Sequence, residues 1–304
     1  MLSDAPNGLL LLIFAWAMLL EWWVAEPSNR WHPVAWFGAC AMYAERVAYG
    51  DSRCNGLVAW SAVVSFCLLV CHALHALGWG WDVLLLWLSI GWSSLFSHVQ
   101  AVVQARSIEQ SRAAVSRIVS RDCTAMTREQ SHRAALESLA ENGSDAVIAP
   151  LFWFLVAGVE GAVLYRMINT LDAMWGYRHA HYRQFGWWAA KVDDGANYIP
   201  ARITAALFLL VSGGYVCLHT LAAQARMHAS PNAGWPEAAL AHAACVRLGG
   251  AVMRRGVVDE RPDYGTVVAR PADDTQAVAD ALRCVRHALI MGGLLLAGVL
   301  WYGI

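Results

Sequence analysis

Six long apolar stretches constrain the fold of this sequence more than any other feature. They cover residues 8–25, 56–78, 81–103, 146–165, 200–223 and 287–304. A helix needs about 20 mostly apolar residues to cross a bilayer, and only helices or closed barrels satisfy their backbone groups there. The pattern predicts one all-α, polytopic membrane domain over residues 1–304, with five to six membrane segments.

Composition agrees with this class of protein. The chain is 58% hydrophobic and 15% charged, whereas soluble domains carry about 25% charged residues. Its 16 tryptophans are typical of membrane–water interfaces. A formal net charge of −1 gives no global attraction to nucleic acid, so we expect membrane lipid as a partner and no nucleic acid.

Basic residues predict the orientation of the loops. Loops 26–55, 104–145 and 224–286 hold 17 of the 22 basic residues, and cytoplasmic loops are enriched in such residues. Six spans with an external N-terminus place all three loops in the cytoplasm. Segment 166–199 is also charged, so either it is an external loop or its flanking segments are not simple spans.

Helices are expected within the cytoplasmic loops 104–145 and 224–286. Thr127 and Gln130 form a capping-box pattern, and the helix they open should end at a C-cap near Asn142 and Gly143. Pro236 should open a second helix that ends near Gly249.

Three carboxylates are spaced by four in the first of these loops. Glu137 and Glu141 share a helix face, and Asp145 follows just beyond it. One or two carboxylates together with phosphate oxygens suit Mg²⁺. The alternative is a solvated helix face on which Arg133 pairs with Glu137.

A second polar group lies in an apolar helical stretch. Arg166, Asn169 and Asp172 are three apart and share one helix side, and polar groups near membrane depth are functional candidates. An internal Arg–Asp pair is the alternative. Arg178 and Arg183 follow, and their guanidinium forks suit phosphate or carboxylate.

Further candidates are scattered along the chain. Lys191, the single lysine, precedes Asp193 and Asp194. A rigid turn holding Asn232 and Glu237 either receives an anion or caps a helix. Near the N-terminus, Arg30 and His32 mark the exit of the first span, where interfacial anchoring is the alternative.

The segments together resemble one family. EPSNRWHPVAWFG, TREQSHRAALESLAENGSDAVIAPLFW, YRMINTLDAMWGYR, SPNAGWPEAA and GVVDERPDYG are similar, in order over residues 21–265, to the blocks of the CobD/CbiB family, the adenosylcobinamide-phosphate synthases of cobalamin biosynthesis. Glu21 and Glu26 depart from the pattern, standing where the family is expected to carry aspartates.

The resemblance implies a multi-pass enzyme of the bacterial inner membrane. Such a carbon–nitrogen ligase uses ATP and Mg²⁺ to join adenosylcobyric acid to (R)-1-amino-2-propanol or its O-phosphate. A homo-oligomer and other membrane enzymes of the pathway are the protein partners it implies. From the inventory above we assign catalysis to Asp172, Glu137, Glu141 and Asp193, with Asp172 as the base. Magnesium ligands are Glu141, Asp145 and Asp194. Substrate or phosphate contacts are assigned to Arg30, His32, Asn142, Arg166, Asn169, Arg178, Arg183, Lys191, Asn232, Glu237 and Arg261.

Two other classes of function compete with this one. Asp193-Asp194-Gly195 with Ala201-Arg202 partly matches the motif of membrane alcohol phosphotransferases, although the spacing is too long. A transporter or sensor without turnover would use broken helices around a central site.

Overall fold

The fold is almost entirely α-helical, which confirms the predicted class. The computed structural model describes residues 7–24, 33–177, 179–213, 218–254, 257–259 and 261–303. Within those residues, four helical stretches are long and apolar enough to cross a membrane, or five if the bent pair Trp187–Ala196 and Tyr198–Ser212 is one span. The four stretches are Arg53–His75, Trp79–Val103, Arg128–Trp175 and Thr275–Tyr302. The protein is therefore a polytopic membrane protein.

The helices and strands follow one another in a simple order. The helices are α1 (Asn7–Trp23), α2 (Pro33–Ala48), α3 (Arg53–His75), α4 (Trp79–Ser89), α5 (Trp92–Val103), α6 (Ile108–Val115), α7 (Arg128–Gly143), α8 (Ala149–Trp175), α9 (Trp187–Ala196), α10 (Tyr198–Ser212), α11 (Leu218–Arg226), α12 (Gly234–Ala243) and α13 (Thr275–Tyr302). The short strands are β1 (Leu248–Gly249), β2 (Val252–Arg254), β3 (Val257–Asp259) and β4 (Asp263–Tyr264). Strand β1 pairs antiparallel with β4, and β2 with β3.

The chain divides into two compact units. The first unit comprises residues 1–93, 149–197 and 295–304. The second comprises residues 94–148 and 198–294.

The first unit is a bundle in which α8 packs against α2, α3, α4 and α9. Helix α1 packs on α4, and its buried Glu21 accepts a hydrogen bond from the backbone amide of Ser93 at 2.7 Å. That carboxylate satisfies one of the amides left open at the start of α5, as a capping residue does. Segment 81–103 is consequently two helices, α4 and α5.

Helix α8 extends ten residues beyond the end predicted for segment 146–165. It bends where Ala157 and Gly158 leave helical geometry, and Gly158 has a φ of +65° that a glycine adopts without strain. Residues 166–175 thus continue the helix. The alternative of a simple external loop over 166–199 is therefore wrong for residues 166–175. These residues include Arg166, Asn169 and Asp172.

The second unit contains α7, which begins as predicted. Thr127 and Gln130 form the capping box. The α-helix ends at Gly143 as predicted, but Gly143 does not terminate the chain's helical course, because a π-helical turn over Ser144–Ile148 follows directly. Gly143 lies against Phe208, Val285 and Leu289, so tertiary packing overrides the local tendency of glycine to end a helix.

Three other predicted boundaries shift in this unit. Segment 200–223 forms α10 and a separate α11 instead of one span. The last span begins at Thr275, twelve residues before the predicted 287. Helix α12 opens at Gly234, close to Pro236, but ends at Ala243 because the chain then enters β1.

Candidate active site

The second unit contains a buried network of ions centred on Glu137. This side chain on α7 is 1% exposed. Its Oε2 accepts hydrogen bonds from Arg121 and from Nη1 of Arg261, the latter at 3.0 Å. Nη2 of Arg261 lies 3.3 Å from Oε2 of Glu237, which is also 1% exposed. Three residues selected from the sequence as separate candidates therefore form one network.

Two glycines hold the chain close to this network. Gly249 donates its amide to Oε1 of Glu137 at 2.8 Å. Gly249 and Gly250 have φ values of +78° and +79°, and a Cβ on Gly249 would lie 1.9 Å from the carbonyl oxygen of Pro262. Only glycine allows the chain to pass this close to Pro262. This close passage places Arg261 next to Glu137.

Arg133 does not pair with Glu137. Its Nη1 donates to the carbonyl oxygen of Gly249 at 3.0 Å, while Arg121 and Arg261 neutralise Glu137. The alternative of a solvated helix face with an Arg133–Glu137 pair is therefore wrong for this carboxylate. Because both Glu137 oxygens accept buried hydrogen bonds, its geometry supports a positioning role more than proton transfer.

Electrostatics around Glu237 are unusual. Burial, followed by the charge of Glu137, raises the pKa of the Glu237 carboxyl well above its usual range, although Arg261 acts in the opposite direction. Tyr264 is 2% exposed, and its hydroxyl has no hydrogen-bond partner among the described residues. Burial and then the charge of Glu237 raise the pKa of Tyr264. Nε2 of His228 lies 2.8 Å from Nη2 of Arg261.

A polar cavity of about 510 Å³ opens beside the network. Its charged lining residues are Glu129, Arg133, Arg247, Arg261 and Asp263. Among the described residues, Gly250 and Ala251 also line it.

The other two carboxylates of the spaced trio lie near the π-helical turn. Glu141 and Asp145 are half-buried. Asn142 donates to the carbonyl oxygen of Ser138 at 3.0 Å. Within the described part of the chain, no group of three or more His, Cys, Asp or Glu side chains is placed to hold a metal ion.

The first unit contains a separate hydrogen-bond chain that ends on Asp193. The Tyr165 hydroxyl donates to Oδ1 of Asn197 at 2.7 Å. Nδ2 of Asn197 lies 3.1 Å from both Asp193 oxygens, and Asn169 donates to Oδ1 at 3.3 Å. Tyr165 and Asn197 are 1% and 2% exposed. These hydrogen bonds fix the orientation of the Asp193 carboxylate.

Asp172 and Arg166 occupy other positions on α8. A Cβ on Gly176 would lie 1.9 Å from Oδ1 of Asp172, so the carboxylate lies over this glycine. Arg166 lines a largely apolar cavity of about 450 Å³ between α2, α3, α4 and α8.

The remaining sequence candidates fall into three groups. Asp194 accepts a hydrogen bond from Lys191 at 3.1 Å on the same helix. The Arg183 side chain is exposed. Asn232 accepts from Nη1 of Arg202 at 3.0 Å. Arg30, His32 and Arg178 lie outside the described residues.

The turn before α12 is already satisfied internally. Oγ of Ser230 accepts hydrogen bonds from the amides of Asn232 and Ala233 at 3.2 and 3.3 Å. The Arg202 guanidinium stacks on Tyr198 and Trp235, with centroid distances of 3.6 and 4.9 Å. Helix α12 itself begins at Gly234 without a side-chain cap.

Sequence reasoning missed several members of the buried network. Arg121, His228 and Tyr264 carry no local motif, and Gly249 was read only as a helix end. The paired glycines were the available signal, because consecutive glycines can adopt the positive φ angles that a close chain crossing needs.

Comparison with known proteins identifies the family. The family model described as CobD/Cbib protein matches residues 14–285. The chain belongs to this family. A cobalamin biosynthesis protein CobD of Stutzerimonas stutzeri is 42% identical over 90% of both chains. The protein of the same name from Chromobacterium violaceum is 40% identical over 94% of this chain and 96% of its own. No solved structure matches.

Proposed function

We propose that this CobD-family protein is a membrane ligase of cobalamin biosynthesis. It would join adenosylcobyric acid to (R)-1-amino-2-propanol or its O-phosphate through an amide bond, with consumption of ATP. The family match over residues 14–285 carries this proposal. The polar residues described above supply side chains of the kinds that the reaction requires.

The reaction needs activation of a carboxylate, because a free carboxylate is a poor acyl donor. Its oxygen would attack the γ-phosphorus of ATP, giving an acyl phosphate and ADP. The amine would then attack the acyl carbon, phosphate would leave, and a base would take the proton released by the nitrogen. The products are the amide, ADP and phosphate.

Glu141 and Asp145 are the proposed magnesium ligands. They are half-buried and four residues apart, at the junction between α7 and the π-helical turn. Bound Mg²⁺ would neutralise charge on the transferring phosphoryl group. Asp194, the third predicted ligand, is paired with Lys191, so its role as a ligand would require it to leave that partner.

Asp172 and Asp193 are the candidates for the base. Asp193 has the better-defined setting, because Asn169 and Asn197 fix its orientation. Donors that hold a carboxylate in one position reduce the reorganisation needed during proton transfer. The Glu137–Arg261–Glu237 network is assigned a supporting role, because its charges satisfy one another within the protein.

Purified protein in lipid nanodiscs provides the test. Adenosylcobyric acid, Mg²⁺-ATP and either amine are supplied, and mass spectrometry looks for the amide while nucleotide analysis looks for ADP. ATP-dependent amide formation supports the proposal. Binding of adenosylcobyric acid without turnover under every condition would instead favour a transporter or sensor.

A further inference from the structure

We propose that His181, oriented by Glu45, coordinates the cobalt of the corrinoid substrate as an axial ligand. The inference rests on the proposed ligase function, in which none of the residues assigned above contacts the metal of the corrinoid. It concerns a group of side chains in the first unit, at the end of α2 and in the segment after α8. This histidine cluster comprises Glu45, Tyr49, Tyr177, His179, His181 and Tyr182.

The histidine cluster lies at the Arg53 end of α3. The Tyr49 hydroxyl donates to the carbonyl oxygen of His181 at 3.1 Å, and Nε of Arg53 donates to Oε1 of Gln184 at 3.2 Å. Loop 26–55 holds Arg53 and is predicted to be cytoplasmic from its charge. The cluster therefore shares the side of the membrane on which ATP is available.

Helix α8 brings the chain to this side after its bend. Nδ1 of His72, in the last turn of α3, lies 2.9 Å from Oε1 of Glu160. At the opposite end of α3, a Cβ on Gly56 would lie 1.9 Å from the carbonyl oxygen of Phe185. Residues 160–175 therefore run antiparallel to α3 and span about 23 Å, most of a hydrocarbon core of about 30 Å.

Glu45 determines which ring nitrogen of His181 carries the proton. Its Oε1 lies 3.1 Å from Nε2 of His181, and its Oε2 accepts a hydrogen bond from Nε1 of Trp175 at 3.1 Å. Because an ionised carboxylate only accepts hydrogen bonds, Nε2 carries the proton and Nδ1 has the lone pair. A carboxylate behind an imidazole also fixes its orientation and raises its basicity as a metal ligand.

The imidazole of His181 is held in place and remains accessible. Tyr49 stacks on it with a centroid distance of 4.3 Å and an interplanar angle of 11°. Tyr182 packs edge-on at a centroid distance of 4.6 Å. The His181 side chain is nevertheless 47% exposed, so a ligand can reach it without rearrangement of the cluster.

The number of donors favours a corrinoid over a free metal ion. A free ion such as Zn²⁺ needs three or four protein ligands, and among the described side chains no three of His, Cys, Asp or Glu are placed to hold one. A corrin supplies four nitrogens to its own cobalt, so only axial positions remain. One histidine is then sufficient, as it is for haem iron. Adenosylcobyric acid carries no tethered base, which leaves the position opposite its adenosyl group open to His181.

Electron paramagnetic resonance of the full-length protein in nanodiscs tests this ligand. The probe is cob(II)yric acid, added without ATP or amine. Axial coordination by ¹⁴N should split each resolved cobalt line into a triplet, and ¹⁵N labelling of histidine should convert the triplet into a doublet. His181→Gln should abolish the splitting, whereas His179→Gln, the matched change two residues away, should retain it. Glu45→Gln should weaken corrinoid affinity about ten- to a hundredfold, the usual effect of losing a partner of a metal-bound histidine.

The labelled wild type makes the test independent of how the variants fold. A wild-type spectrum without nitrogen splitting would overturn the inference, and so would splitting that survives His181→Gln. If the wild type makes the amide but shows no splitting, this ligand is wrong and the ligase function stands. If the splitting depends on His181 but no amide forms, the ligand stands and the ligase function fails.

Discussion

Glu137 and Arg261 are 124 residues apart in sequence and form a salt bridge of 3.0 Å with both side chains nearly inaccessible to solvent. Taking two charges out of water costs several kcal/mol per ion, and their attraction compensates only when further hydrogen bonds complete the geometry. Arg121 and the Gly249 amide complete it for Glu137. Glu237 completes it for Arg261.

Removing Arg261 alone should therefore lower the free energy of unfolding more than removing it together with one of its partners. Arg261→Met leaves Glu237 buried without its guanidinium partner and should cost about 3–5 kcal/mol of unfolding free energy. The double variant Arg261→Met with Glu237→Gln should recover about 0.5–3 kcal/mol of that loss. Thermal unfolding of the purified proteins measures both values.

The control for this cycle is Arg283→Met. The Arg283 side chain is 62% exposed and pairs with Asp280, and exposed ion pairs contribute about 0–1 kcal/mol. A double variant as unstable as Arg261→Met alone would contradict the network.

The raised pKa of Glu237 predicts how stability depends on pH. The folded protein binds this proton more tightly than the unfolded chain, whose carboxyl has an ordinary pKa of 4.5. This contribution to stability is complete below that value and is lost as the pH rises toward the pKa of the folded state. Glu237→Gln removes the titration, so the wild type should lose stability relative to this variant as the pH rises above the ordinary carboxyl value of 4.5. Parallel profiles of unfolding temperature against pH would show that Glu237 keeps an ordinary pKa.

Local patterns in the sequence predicted the parts of the fold that depend on local chemistry. Thr127 and Gln130 cap α7 because both partners lie within one turn, and the apolar run of α3 needs no distant partner to be recognised as a span. Gly143 shows where this reasoning fails. Its packing against Phe208 and Leu289 depends on chain segments far away, and the helix continues through it.

The candidate site divides in the same way. Glu137 could be selected from the four-residue spacing of carboxylates, Glu237 from the turn that opens a helix, and Arg261 as an arginine suited to phosphate or carboxylate. Their assembly could not be foreseen, since it depends on the positive φ angles of Gly249 and Gly250. The i,i+4 spacing left a pair between Arg133 and Glu137 open as an alternative, but Arg121 and Arg261 contact that carboxylate instead.

The acidic pair Glu141 and Asp145 gives a direct test of the proposed magnesium site. Glu141→Gln and Asp145→Asn should each abolish amide formation, because the neutral amides are far weaker ligands for Mg²⁺ than carboxylates. Both side chains are half-buried, so insertion and folding should persist, as size-exclusion profiles can establish. Asp273→Asn, a change at an exposed position, is the control. Turnover close to that of the wild type in both variants would show that Glu141 and Asp145 form an ordinary helix surface and do not bind Mg²⁺.

The charge distribution predicts cytoplasmic positions for loops 104–145 and 224–286. Arg117→Cys and Val267→Cys place single thiols at exposed positions in these loops, on a background in which all eight native cysteines are replaced. A membrane-impermeant maleimide should label neither thiol in intact cells and both after permeabilisation. Labelling of either thiol in intact cells would contradict the predicted orientation of its loop.

Asp193 offers the sharpest separation between a catalytic and a positioning residue. If it is the base, Asp193→Asn should lower kcat by about 10²–10⁴, the usual contribution of general base catalysis. Tyr165→Phe removes only the hydroxyl that donates to Asn197. It should therefore lower kcat less and shift the pH profile, because Asn197 then holds the carboxylate less firmly. Asp122→Asn is the matched control. The Asp122 carboxylate accepts a hydrogen bond from Thr124 in an exposed loop, and the substitution should leave kcat unchanged. If Asp193→Asn keeps the kcat of the wild type, Asp193 is not the general base. Asp172 is then the remaining candidate, and Asp172→Asn should lower kcat.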